Sequence, residues 1–313
     1  MTQQYKYSIV APVYNEEETI REFYKRLVSV MDSIKESYEI IFVNDGSKDR
    51  SLEIMKEFHS QDKRVKIIDF SRNFGHQIAI TAGMDYALGN TVVIIDADLQ
   101  DPPEVIPRFI EKWKEGFEVV YGIRESREGE GVFKKLTAKI FYRILQRIID
   151  IKIPLDAGDF RLIDRKVVDS LKEIRERSRF VRGLTSWVGF KQGGILYKRE
   201  KRFAGHTKYS LKKMLKLAVD AAFSFSNFPL RIAGYFGFLI AGLSFLYLIY
   251  VIILKLFTNI LISGWTSLIV AVLFLGGVQL ICLGIIGEYI GRIGEEVKHR
   301  PLYIIKEVIG ENK

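Results

Sequence analysis

The sequence predicts an α/β domain built on a mostly parallel sheet, followed by an amphipathic helix and a two-helix hairpin that crosses a membrane. Three observations predict it. Short runs rich in Val and Ile alternate with polar segments of helical length through residues 7–122. Two long stretches near the C-terminus carry no charge. Acidic and small polar residues recur where the apolar runs stop.

In chain order, the start "MTQQYKYSIVAPVYNEEE" has no basic segment leading into a long apolar run, so no secretory signal is expected. Strands are expected at Tyr7–Val13, Tyr38–Asp45, Val65–Phe70, Thr91–Asp96 and Phe117–Gly122. The helix-length segments between them imply crossover connections and hence parallel pairing. Such sheets bind ligands at the carboxyl ends of their strands. Three of those ends carry Asn15 with Glu16, Asp45 with Gly46 and Ser47, and Asp96 with Asp98. Farther on, "REGEGVFKKL" reads as a Gly-containing basic loop and "KLTAKIFYRILQRI" has helical spacing. "DAGDFRLIDRKVVDSL" reads as a turn leading into a helix, and "GGILYKREKRF" as a last strand.

Residues Ser210–Ser226 place Leu211, Met214, Leu215, Ala218, Ala222 and Phe225 opposite Lys212, Lys213, Lys216 and Asp220, an amphipathic pattern suited to a headgroup layer. Ile232–Leu254 and Thr266–Ile286 are free of charge, and at ~1.5 Å per residue each is long enough for a ~30 Å hydrocarbon core. Basic residues crowd before the first span (Lys208, Lys212, Lys213, Lys216, Arg231) and after the second (Arg292, Lys298, Arg300), with only Lys255 between. The positive-inside bias therefore puts both termini and the bulk of the chain in the cytoplasm, on the inner face of the cell membrane. The expected division is a domain over 1–209, the amphipathic helix over 210–230, the membrane hairpin over 231–291 (spans about 232–256 and 266–287) and a cytoplasmic tail over 292–313. A net charge of +9 is explained better by an anionic membrane face than by nucleic acid, since the basic residues flank the spans rather than interleave with exposed aromatics. The one cysteine, Cys282, lies in the second span and has no partner for an intrachain disulfide.

Carboxylates at i and i+2 of an extended segment share a face. On that reading Asp96 and Asp98 repel each other unless a cation lies beside them, and hard oxygen ligands suit Mg²⁺ or Mn²⁺. Gln100, next on the same face, adds a carbonyl. "VNDGS" offers Asp45 for hydrogen-bonded reading of a nucleobase, with Ser47 capping the following helix. "PVYNEEE" offers Pro12 and Tyr14 as a flat wall ahead of acidic side chains. His206 has no Asp or Ser pattern around it and is read as structural.

The motifs "PVYNEEETI", "VNDGSKD", "SRNFGHQIAITAGMDYA", "DADLQDPPE" and "GDFRLIDRKV" together resemble the family 2 glycosyltransferases of GT-A fold. The nearest branch in that resemblance is the polyisoprenyl-phosphate glycosyltransferases, dolichyl-phosphate mannose synthase and the bactoprenol glucosyltransferases, and it extends through "FVRGLTSWVGFKQ", "RFAGHTKYSLKKM" and "EYIGRIGEEVKHRPLYII". It implies that Pro12, Tyr14, Glu16, Asp45 and Asp96 hold the nucleotide sugar, and that Asp96, Asp98 and Gln100 hold Mg²⁺ or Mn²⁺. It also implies that Arg124, Lys134, Lys135, Arg202 and Lys208 meet the phosphate of a polyprenyl acceptor, with Asp159 orienting or assisting that acceptor. The implied activity moves a sugar, glucose from UDP-glucose foremost, onto undecaprenyl phosphate with inversion. Aminoarabinose, N-acetylhexosamine or mannose are alternative sugars, and a non-catalytic sugar-nucleotide-binding protein is the competing class. A processive polysaccharide synthase would carry a Q-x-x-R-W motif and more spans, which this sequence lacks. Gly276, Gly277 and Gly284 suggest helix packing and a homo-oligomer, and the resemblance implies work upstream of a flippase and a second glycosyltransferase.

Overall fold

The computed structural model describes residues 5–125, 157–177, 179–200, 228–257 and 264–310, arranged in two compact units. The first holds the eight strands found among the described residues. β1 (Tyr7–Val13), β2 (Tyr38–Asn44), β3 (Val65–Phe70) and β4 (Thr91–Ile94) pair in parallel in the order β3-β2-β1-β4. β1 and β2 are buried along their whole length, as strands covered by helices on both faces must be. The helices are α1 (Ile20–Ile34), α2 (Ser51–Gln61), α3 (His76–Tyr86) and α4 (Ile106–Lys114), the last preceded by a 3₁₀ turn at Pro103–Val105. Phe23, Leu27 and Met31 of α1 and Met55 of α2 pack against Ile9, Ile40 and Phe42 in one core. On the other sheet face Gly83 of α3 sits directly over Val10, where a Cβ would lie 2.2 Å from a Val10 methyl. The order reverses at β1, whose neighbours are β2 and β4, and a crevice opens at the carboxyl ends of strands at such a switch.

The rest of the sheet departs from expectation. β5 runs Val119–Arg124, two residues later than expected, so that Arg124 is its last residue. "AGDFRLID", expected as a turn, is β6 (Ala157–Asp164), inserted antiparallel between β4 and β5. Its two faces are both covered: Phe160, Leu162, Ile163 and even Arg161 are at most 3% exposed, so polar and apolar residues do not alternate in the way that marks a half-buried strand. The helix-capping carboxylate of this region is Asp164, which accepts from Lys166 N at the start of α5 (Arg165–Glu173). α6 (Val181–Trp187) and β7 (Gln192–Tyr197, parallel to β5) complete that edge.

At the opposite edge lies a strand from the expected tail. β8 (Ile305–Ile309) pairs antiparallel with β3, so that stretch contributes a strand to the sheet. The second unit consists of α7 (Phe228–Phe257) and α8 (Trp265–Val297). Within them Leu230–Tyr247 and Phe274–Val297 have mean hydropathies of 1.5 and 1.6 and bury no residues, which is the dress of helices meant for lipid. α8 continues about three turns past the expected end of the span, with Arg292 bonded to Glu288 across one turn at 2.9 Å. The Cys282 thiol approaches the Ala233 carbonyl at 3.9 Å, bringing α7 and α8 side by side.

Candidate active site

The candidate site is gathered from the turns after β1, β2, β3 and β4 and from β6. After β1, Asn15 adopts a left-handed conformation (φ 53°). Its N–H donates to Ser47 Oγ at 3.1 Å, while its side-chain oxygen accepts from Lys48 N at 2.8 Å. Ser47, expected to cap a helix, thus ties the β2 turn to the β1 turn; Asp49 accepts from Ser51 N at the start of α2 instead. Pro12 is buried and Tyr14 is 37% exposed. Glu16 accepts from Thr19 Oγ1 at 3.2 Å and lies at the head of α1.

Asp45, only 3% exposed, is held by the turn after β3. Phe74 N donates to its Oδ1 at 2.6 Å and Gly75 N to its Oδ2 at 3.0 Å. Burial nevertheless pushes its carboxyl up, against those two N–H groups. Gly46 has φ +69° and no room for a side chain, since a Cβ would meet Asn73 N at 2.6 Å.

Asp96 and Asp98 stand where they were expected, but not on an extended segment. β4 ends at Ile94, Leu99 is left-handed at φ 59°, and Asp98 Oδ1 accepts from Gln100 N at 3.1 Å. The acidic motif is therefore a turn, and strand alternation does not bring its carboxylates together. Asp96 Oδ1 is buried with no hydrogen-bond partner, 3.4 Å from His76 Nε2. Burial first, then repulsion from Asp101, Asp98 and Asp159, pushes Asp96 up to about 6 despite His76. A lone buried carboxylate oxygen among like charges is what a divalent cation relieves. Among the described residues no group of three or more His, Cys, Asp or Glu side chains is arranged to hold a metal ion, so an ion at Asp96 would need to complete its coordination with ligands from a substrate.

Asp159, on β6, accepts from Gln77 Nε2 at 3.1 Å. His76 Nε2 stands 3.4 Å and Arg182 Nε 3.1 Å from its two oxygens. Burial opposes its ionisation, yet Arg182, His76 and Arg161 hold the carboxyl far below the usual range. His76 is in turn raised to about 9, the Asp96 and Asp159 carboxylates overcoming burial. Arg124 reaches Asp101 at 3.4 Å, as does Arg199 Nε, and Tyr197 Oη donates to Asp101 at 2.5 Å. Burial works against the Arg124 charge, but Asp101 and Tyr197 keep it protonated.

The structure thus gathers Asp96, Asp159 and, through His76, the head of α3 on one side, and Arg124 with Arg199 on Asp101. Lys134, Lys135, Arg202, Lys208 and the amphipathic stretch 210–226 lie outside the described residues. His76, Gln77, Asp101, Arg182 and Arg199 were given no role from sequence. Asp101 closes the acidic motif, while His76 follows Gly75 at a helix start, and both positions were open to notice.

The family model described as glycosyl transferase family 2 matches residues 8–172, and one described as the GtrB C-terminal hairpin matches residues 228–293. The chain is 62% identical to a Bacillus subtilis protein named glycosyltransferase YkcC, over 100% of this chain and 97% of that one. It is 46% identical to a bactoprenol glucosyl transferase of Shigella phage SfV, over 96% of this chain and 98% of the other. Among solved structures it is similar to glucosyl-3-phosphoglycerate synthase from Mycobacterium tuberculosis, at 19% identity and a TM-score of 0.47, covering 72% of this chain and 81% of that one. The mostly parallel sheet is a GT-A fold, and the chain belongs to glycosyl transferase family 2 and is a glycosyltransferase.

Proposed function

We propose that this protein transfers glucose from UDP-glucose to a polyprenyl phosphate, with inversion, at the cytoplasmic face of the cell membrane. The observation that carries the reading is similarity along nearly the entire chain, hairpin included, to proteins named bactoprenol glucosyl transferase. The site supports it chemically. Two anionic reactants must be held together against Coulomb repulsion, and the crevice offers a carboxylate turn beside a pair of guanidinium groups.

Asp45 accepts from the uracil edge, with Pro12 and Tyr14 as the wall and Glu16 beside them. Asp96 and Asp98, with Gln100 in the same turn, hold Mg²⁺ or Mn²⁺, whose chemistry is to neutralise charge on the departing diphosphate. Arg124, fixed by Asp101, meets the acceptor phosphate, joined by Lys134, Lys135, Arg202 and Lys208. A phosphate monoester has its second pKa near ~6, so the attacking oxygen is already ionised at neutral pH. Asp159, already paired with Arg182 Nε at 3.1 Å and accepting from Gln77 Nε2 at 3.1 Å, orients the acceptor rather than abstracting a proton. The product, a lipid-linked sugar on the cytoplasmic leaflet, needs a flippase and a second glycosyltransferase to be used beyond the membrane. The chain works as a homo-oligomer, the open faces of Gly276, Gly277 and Gly284 supplying close helix contacts.

The test is purified protein with undecaprenyl phosphate, Mg²⁺ and a panel of labelled nucleotide sugars. UDP-glucose is expected to give a chloroform-soluble product that EDTA abolishes. No product from any donor would overturn the reading; product from a different sugar alone would redirect it.

A further inference from the structure

The segment that follows the membrane hairpin ends in the donor half of the site. Tyr303 lies flat on Phe70, the last residue of β3, with ring centroids 5.3 Å apart and planes within 17°. Phe70 meets Phe74 edge-on at 5.5 Å, and Phe74 N is the closest donor to the Asp45 carboxylate, at 2.6 Å. The backbone runs in parallel with this relay. Ile304 O accepts from Ser71 N at 3.0 Å, the first residue of the turn that carries Phe74 and Gly75. A third connection passes through Asp69, which Lys306 of β8 approaches at 3.9 Å and to which Asn44, the neighbour of Asp45, donates at 2.7 Å.

The turn has little freedom except through these contacts. Its other side packs on Gly46 so closely that no Cβ fits, and Asn73 Nδ2 donates to the Asp45 carbonyl at 3.0 Å. A shift of the turn therefore moves the Asp45 side chain with it. Tyr303 is fixed in turn: its hydroxyl donates at 2.8 Å to Asp85 of α3, which Arg175 also holds at 2.7 Å.

We propose that Tyr303, with β8, is a positioning residue for the donor nucleoside, setting the 71–75 turn that aims Asp45. It rests on the reading of Asp45 as the nucleobase acceptor. Donor affinity in this enzyme thereby depends on residues encoded after both membrane helices, and the acceptor side of the site, on Asp101, does not.

The experiment uses the full-length protein in detergent, with UDP binding by calorimetry and KM for each substrate. Asp45→Asn comes first, because unchanged UDP affinity there would remove the underlying reading by itself. Tyr303→Leu is expected to weaken UDP about tenfold, the scale of one misaligned hydrogen bond to a charged group, with acceptor KM unchanged. Tyr303→Phe, which keeps the ring stack, is expected to stay within about threefold of the parent, the share of the phenol bond alone. Phe74→Leu, on a partly exposed turn, gives the same selective loss and covers the case in which Tyr303→Leu does not fold. The double variant should bind UDP no worse than the weaker single one, since both break one relay. UDP affinity unchanged in the folded variants, or donor and acceptor KM rising together, would overturn the inference.

Discussion

Asp101 is fully buried and surrounded by Arg124, Arg199 and Tyr197. Its carboxylate is paired by these groups, and breaking such a pairing leaves uncompensated charge behind. Asp101→Asn is expected to destabilise the protein by about 2–4 kcal/mol, read as a lowered midpoint of chemical unfolding in detergent, and to raise acceptor KM more than donor KM. Arg182 has a different task, since its Nε stands 3.1 Å from the Asp159 carboxylate. Arg182→Ala should lower kcat by roughly 10²-fold, the cost of a misplaced orienting group, while UDP affinity holds; equal loss of both would place Arg182 in donor binding. Asp98→Ala should abolish turnover and, because Asp98 is half-buried and accepts from Gln100 N, cost about 0.5–1.5 kcal/mol of stability, read from chemical unfolding in detergent. These roles were only half legible. Asp96, Asp98, Asp45 and Asp159 stand in recognisable motifs, whereas the pairing of His76 and Arg182 with Asp159 exists only once β6 is in the sheet, and nothing local in the chain announces it.

At the level of elements, the four parallel strands were readable because burial on both faces makes them plain Val/Ile runs. β6 was not, because it buries Arg161 and Asp159 among its apolar residues and pairs antiparallel with strands from distant parts of the chain. β8 was missed for a related reason: an edge strand with Lys306 and Glu307 exposed has the mixed look of a tail, and charged edges are how sheets avoid self-association. The α3 helix makes its own demand. Gly83 lets it descend onto Val10, so Gly83→Val should cost about 1–3 kcal/mol through overpacking. The measurement is the unfolding midpoint, and because α3 carries His76 at its head, kcat should fall alongside. An unaltered midpoint would mean that α3 can lift from the sheet without penalty.

On the scale of the molecule, the hairpin is covalently bracketed by one folded unit, with β7 before it and β8 after it. Removing residues 300–313 should strip β3 of its antiparallel partner, and hydrogen exchange in Val65–Phe70 is expected to quicken strongly while β1 and β2 stay protected. Equal protection in β3 would mean that the edge is held by other contacts. The pairing of β3 with β8 also sets an order of events during synthesis. At ~5–20 residues per second, the ribosome finishes β3 well before it reaches β8, and both lipid-facing helices emerge in between. Until β8 has been made, the nascent enzyme carries an open sheet margin along β3, and both long apolar helices must leave the ribosome before that edge can close.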